Sequence, residues 1–99
     1  MSPRITVDRQ RIAEFCRKYH IRKLALFGSV LGDDFRPDSD VDVLVAFEPG
    51  QVIGLRIIDI EDELARLFGH RVDLVSEKYL NHRIRDEVLA AAEVQYAEG

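Results

Sequence analysis

An acid inside an apolar run constrains this chain more than any other feature. Val41-Asp42-Val43-Leu44-Val45-Ala46-Phe47 has the β-branched and aromatic character of a strand, yet Asp42 stands within it. An unpaired charge in such surroundings is costly. Alternation along a strand puts Asp40 on the same face as Asp42, and two carboxylates that close repel unless a cation lies between them. Hard oxygen ligands suit Mg²⁺, which is commonly held by one or two carboxylates together with substrate phosphates. Upstream, the apolar run Leu24-Ala25-Leu26-Phe27 ends in Gly28-Ser29, and ten residues separate that pair from Asp40. A small pair after a strand leaves backbone N–H groups to face phosphate oxygens. A phosphate cradle opposite a metal platform is equipment for moving a nucleotidyl group.

Other readings of these residues fail on their own requirements. Asp38-Ser39-Asp40-Val41-Asp42 imitates the opening of an EF-hand loop, but Val43 and Pro49 stand where that loop needs Gly and Glu. Gly28 and Gly32 do not make a dinucleotide fingerprint, and no Lys-Ser/Thr pair follows to make a P-loop. A plain acidic turn accounts for Asp33, Asp34, Pro37 and Asp38. It does not account for Asp42.

Ninety-nine residues make one domain, spanning 1–99, and a hydrophobic fraction of 46% is enough to fill its single core. The lone cysteine, Cys16, excludes an internal disulfide and reads as a small core residue. No signal region follows Met1, and no apolar run approaches a membrane span, so the chain reads as soluble and cytoplasmic. Residues 1–23 carry seven Lys/Arg against two acids, whereas residues 24–99 carry seven against sixteen. An acidic body argues against a broad nucleic-acid footprint, so no direct nucleic-acid binding is expected. The basic end reads as a solvated helix face, with a partner surface or a guide for a triphosphate as the alternatives.

The coarse pattern is an α/β sandwich built on a small sheet. Ile12, Phe15, Cys16 and Tyr19 recur at helical spacing, predicting a helix over 8–20 with Asp8 as its cap. Strands are expected over 24–27 and 41–47, with a short helical turn over 29–34 between them. Ile53, Ile57, Ile60, Leu64 and Leu67 predict a helix over 54–68, closed by Gly69, whose opposite face (Asp59, Glu63, Arg66) is solvated. A third strand, 71–75, sets Asp73 between apolar neighbours and on the face opposite Val72 and Leu74. Asn81 caps a last helix with Ile84, Val88 and Ala92 inward. His20, His70 and His82 show no metal-ligand spacing and read as surface residues.

The stretch GSVLGDDFRPDSDVDVLV resembles the Gly-Ser, ten-residue, Asp-x-Asp signature of the nucleotidyltransferase superfamily that includes the β-type DNA polymerases. More narrowly, Leu24 through the C-terminal YLNHRIRDEVLAAAEVQY is similar to the stand-alone minimal nucleotidyltransferases, the MNT or MntA-type antitoxins. The resemblance implies a polymerase β palm-like fold with a small mixed sheet flanked by helices. It implies Mg²⁺ held by Asp40, Asp42 and a third acid on a later strand, for which Asp73 is the one candidate in such a setting. Gly28 and Ser29, with Arg36 and Ser39 of the intervening loop, are the nucleotide-side candidates; Ser29 is equally a helix cap and Arg36 equally a solvated side chain. The implied partner is a HEPN-domain toxin encoded nearby. The implied reaction is transfer of AMP from ATP to a toxin tyrosine within a hetero-oligomer, by a protein adenylyltransferase.

The chain departs from the commonest pattern of that family, in which Arg and then Gly take the third and fourth places after Gly-Ser. Gly32 and Asp33 stand there instead, which removes one phosphate contact and adds an opposing charge. A catalytically weak binding module that silences its toxin by occlusion is therefore the alternative. No residues remain for an acceptor-binding domain, so the acceptor is expected on another protein, with Tyr79, Leu80 and Tyr96 as the exposed apolar surface that meets it.

Overall fold

The computed structural model of the chain describes residues 5, 7–32, 35–36 and 38–98, the side chains of Ser29, Tyr79, His82 and Ile84 excepted. Asp33, Asp34 and Pro37, assigned above to a turn, lie outside the described residues, as do the side chains of Ser29 and Tyr79. The elements run α1 (Arg9–Lys18), β1 (Ile21–Phe27), a 3₁₀ turn (Gly28–Leu31), β2 (Val41–Phe47), α2 (Arg56–Phe68), β3 (Val72–Ser76), a second 3₁₀ turn (Glu77–Tyr79), α3 (His82–Ala91) and β4 (Glu93–Ala97).

The strands form one sheet in the order β3-β2-β1-β4. β1 pairs antiparallel with both β2 and β4, whereas β2 and β3 run parallel. A parallel pair needs a long crossover, and α2 supplies it. The sheet is therefore mixed, as expected.

One face of the sheet holds the core. Val41, Val43 and Val45 of β2, Leu24 and Leu26 of β1, and Val72 of β3 meet Ile12, Phe15 and Cys16 of α1 and Ile60, Leu64 and Phe68 of α2. Ala25, Leu44 and Ala46 of the opposite face are buried as well. α1 begins as its sequence dictates: the Asp8 carboxylate accepts from the Gln10 and Arg11 N–H groups at 3.1 and 3.2 Å, and Arg17 and Lys18 complement the dipole at the other end. α2 starts two residues later than the apolar spacing suggests, because Gly54 takes φ +53°, outside the helical region. It stops at Gly69 with φ +70°, the left-handed cap conformation.

Glu63 corrects the expected solvated face of α2. Its Oε1 accepts from Lys18 Nζ at 2.8 Å and from the Tyr19 hydroxyl at 3.1 Å, so it ties α1 to α2. Glu61 on the same helix accepts from the Leu74 N–H at 3.3 Å, which occupies a donor on the exposed edge of β3.

The largest departure is β4. The Ala-rich run before Glu93 favours helix, but the chain turns at Ala92 and returns as an edge strand on β1. Leu24 pairs with Tyr96 and Ala25 with Val94, leaving Gln95 as the extra residue of a bulge. Gln95 is buried, and its side-chain amide donates to the Glu93 carbonyl at 3.2 Å. Tyr96 packs against the core and is half-buried, not exposed as expected; Leu80 is half-buried as well. Among the described residues the exposed large apolar side chains are Val52, Leu55, Ile58 and Val94.

Cys16 is fully enclosed, and burial pushes its thiol up to about 12. The thiolate is the reactive form, so a disulfide-exchange reagent at mildly alkaline pH is expected to leave native protein unmodified. It should label one thiol per chain once urea unfolds the protein. Stoichiometric labelling of the folded chain would show that α1 does not pack as described.

Candidate active site

Two strands, β2 and β3, deliver the acids beside the end of β1. In the sheet register Phe27 stands opposite Asp42, and Asp42 stands beside Asp73. Gly28 therefore begins the turn immediately next to Asp42. Asp40 and Arg71 stand one residue before β2 and β3, two positions ahead of Asp42 and Asp73, the spacing that alternation puts on one face.

Gly28 is required twice over. Its φ of +76° lies in the left-handed region, and a Cβ built there would overlap Oδ2 of Asp42 and come within 3.1 Å of its Cγ. The Asp42 carboxylate thus rests directly on the glycine backbone. Burial is the first cause that lifts the Asp42 carboxyl above its ordinary value, followed by the Asp73 and then the Asp40 charge. The sequence anomaly has become a physical one: three like charges converge, and the innermost is partly desolvated.

The nucleotide-side candidates meet different fates. The Ser39 hydroxyl accepts from the Arg36 N–H at 3.0 Å, while the Ser39 N–H donates to the Arg36 carbonyl at 2.9 Å. Both residues build the turn that presents Asp40, and the Arg36 side chain is exposed. The Ser29 backbone lies in the 3₁₀ turn after β1; its hydroxyl falls outside the described residues. Val30, next in that turn, is wholly buried and anchors it. His20 is exposed, its Nδ1 lying 3.0 Å from Glu48 Oε2. His70 is not a plain surface residue: it is half-buried, its ring meets that of Phe35 in a tilted contact at 5.2 Å, and its Nδ1 is buried without a hydrogen-bond partner among the described residues.

One residue escaped the sequence reading. Arg71 Nε lies 3.1 Å from Asp40 Oδ1. Its signal was its position two residues before Asp73, which puts it on the same face; nothing in the sequence revealed that this face meets Asp40.

The donor set fits a hard divalent cation by chemistry, being carboxylate oxygen throughout. Among the described residues, however, no group of three or more His, Cys, Asp or Glu side chains is arranged to hold a metal ion, and Asp40 is engaged by Arg71. A cation that takes the rest of its ligands from phosphate and water needs only one or two protein carboxylates. A groove of about 780 Å³ lies at the far end of β2, lined by Phe47, Ile53, Ser76 and Arg85 among others. None of the three acids lines it, so it is not this site.

Residues 9–94 match the nucleotidyltransferase domain family. The chain belongs to that family. It is 38% identical over 76 residues to the protein adenylyltransferase MntA of Thermococcus cleftensis, an alignment that covers 77% of this chain and 76% of that one. Its structure superposes on one assigned as a minimal nucleotidyltransferase with a TM-score of 0.72 and 39% identity, covering 85% of each chain. A chain from the tri-AMPylated Shewanella oneidensis HEPN toxin in complex with its MNT antitoxin matches with a TM-score of 0.66. At 19% identity, with 90% of this chain and 69% of that chain covered, that likeness speaks for the fold alone. The minimal nucleotidyltransferase expected from the Gly-Ser and Asp-x-Asp spacing is thus found in sequence and in architecture.

Two measurements test the geometry of this nucleotidyltransferase. Gly28→Ala is expected to lose about 1–2 kcal/mol from its left-handed backbone alone, and more from displacing Asp42. Urea denaturation reads the loss, and a variant of wild-type stability would mean that Gly28 and Asp42 do not touch.

The second test concerns pH. The native carboxyl of Asp42 titrates above its ordinary value of 3.8, so between those two values the folded chain binds more protons than the unfolded one. The contribution of Asp42 to stability is therefore fully present below pH 3.8 and is lost as pH rises through the raised native value. Asp42→Asn removes this loss. The metal-free variant is expected to gain on wild type as pH rises from about 3.5 to about 8, and to match or exceed it at neutrality. A gap that widens in favour of wild type with rising pH would reverse the assignment.

Proposed function

We propose that this nucleotidyltransferase is the antitoxin of a toxin–antitoxin pair and transfers AMP from ATP to a tyrosine of a HEPN-domain toxin, with Mg²⁺ as cofactor. The observation that carries the reading is the lateral register of Gly28, Asp42 and Asp73, which sets a backbone turn and two carboxylates on adjoining strands. Identity to an MntA protein adenylyltransferase over three quarters of both chains supports the choice of AMP and of a protein acceptor. The described residues hold no helix long and apolar enough to cross a membrane. We place the chain in the cytoplasm, where ATP and Mg²⁺ are both available.

In this reading Asp40, Asp42 and Asp73 hold the metal side of the site. Bound Mg²⁺ would neutralise the triphosphate and stabilise the charge that develops on it. The N–H groups of the Gly28–Ser29 turn donate to phosphate oxygens, with Ser29, Arg36 and Ser39 as the flanking contacts. Asp73, on the edge strand and exposed, accepts the proton of the incoming tyrosine hydroxyl. The phenolic oxygen then bonds to the α-phosphorus, the bond from that phosphorus to the α–β bridging oxygen breaks, and pyrophosphate leaves with the bond pair. Neutralising Asp42 removes a ligand from the centre of that charge.

The test is incubation of the purified chain with its HEPN partner and ATP labelled at the α-phosphate. Label is expected on the partner, dependent on Mg²⁺ and lost with Asp42→Asn, which should still fold. A tight, unlabelled complex would favour the second reading, a module that silences its toxin by occlusion. That reading is favoured by the acids of the loop, which oppose a triphosphate.

A further inference from the structure

The stretch from Gly28 to Asp42 contains five aspartates and one cation, Arg36. Such a loop opposes a triphosphate, and a divalent cation alone does not cancel the combined charge. The structure holds a second cation against this stretch from outside it. Arg71 stands one residue before β3, and its carbonyl accepts the Val41 N–H at 2.8 Å, so its backbone is fixed beside Asp40. Its guanidinium reaches Asp40 Oδ1. A small grid results, with Asp42 beside Asp73 in the register of β2 and β3 and Asp40 beside Arg71 just ahead of those strands.

The side chain of Arg71 is 81% exposed and that of Asp40 52%. An exposed ion pair is weak and readily exchanged. A guanidinium also pairs bidentately with phosphate as well as it does with carboxylate. The ring of His70, the residue before Arg71, meets that of Phe35 in a tilted contact, so the connection that bears Arg71 also touches the loop that bears Asp40.

We propose that Arg71 is a phosphate-binding residue held in reserve by Asp40, so that the site takes up a divalent cation together with a nucleoside triphosphate and resists the bare cation. While the site lacks nucleotide, the guanidinium occupies a carboxylate that the cation needs and adds a repelling charge. When metal and triphosphate arrive together, Asp40 passes to the metal and Arg71 to the phosphate oxygens. The inference rests on the nucleotidyltransfer reading and deepens it.

Because the two roles have opposite signs, one variant separates them. Arg71→Ala is expected to bind Mn²⁺, used as a spectroscopic probe for the bare cation, about two- to fivefold more tightly than wild type, the worth of an exposed ion pair. The same variant should bind a non-hydrolysable ATP analogue in saturating Mg²⁺ about tenfold more weakly, the worth of a charged hydrogen bond. Arg71→Lys should fall between wild type and Arg71→Ala for the analogue. On an Asp40→Asn background, removing Arg71 should no longer tighten Mn²⁺. Melting curves check that each variant folds. Unchanged affinity for both probes, or equal tightening of Mn²⁺ with and without Asp40, would overturn the role of Arg71 while the functional reading stands. Wild-type protein that binds no analogue at any Mg²⁺ concentration would overturn both.

Discussion

The contact between the Asp42 carboxylate and the Gly28 backbone is the constraint on which the site and much of the fold depend. It demands that β1 end where β2 begins to bury, so that Phe27 pairs with Asp42 and the chain can leave the sheet at Gly28. It demands glycine, because any side chain would occupy the space of the carboxylate. Because a strand alternates, shifting the β1–β2 register by one residue would turn Asp42 into the core and Val43 out of it. The apolar face of β2 and the acid on its other face therefore specify the same register. Stability and chemistry are coupled here through a single alignment.

The crossover completes that arrangement. A parallel β3 beside β2 is possible only because α2 carries the chain back along the sheet, and the amphipathic face of α2 (Ile60, Leu64, Phe68) is what holds it there. Glu61 and Glu63 on the same helix reach the β3 edge and α1 respectively. Asp73 thus arrives beside Asp42 with its neighbours Val72 and Leu74 turned to the core. The cost is a raised Asp42 carboxyl, tolerated because Asp40 and Asp73 remain exposed to water.

What was legible in the sequence follows from this coupling. Asp42 stood out because its apolar neighbours made its charge anomalous, and the bounds of β2 came directly from that run. The period of α2, its end at Gly69 and the caps at Asp8 and Asn81 were also local signals, and each is found. β1 extends three residues further back than its apolar run, because Arg22 sits at a bulge and Lys23 faces away from the core. β4 was not legible: five residues after an alanine run carry little strand signal, and only pairing with β1 makes them a strand. Tyr96 packs against the core for the same reason. Glu63 and Arg71 read as ordinary surface charges, since their partners, Lys18 and Asp40, lie 45 and 31 positions away in the chain and are brought close only by the fold.

The position of β3 bears on what the proposed reaction can accept. Sheet order makes β3 an edge strand, so the side of Asp73 away from Asp42 faces no further strand of this sheet. A metal–triphosphate complex needs the inner side, toward Asp42 and the Gly28 turn, where charge is concentrated and water partly excluded. An acceptor hydroxyl needs the outer side, where Asp73 is exposed and a large body can approach without displacing a strand. One carboxylate between two such environments can join the cation on one side and take a proton on the other. Glu61 of α2 already meets the Leu74 N–H on that edge, so the outer side of β3 is bordered by a helix and not by a strand. In the proposed reaction a partner protein would bring its own surface to that side and position its own hydroxyl beside Asp73.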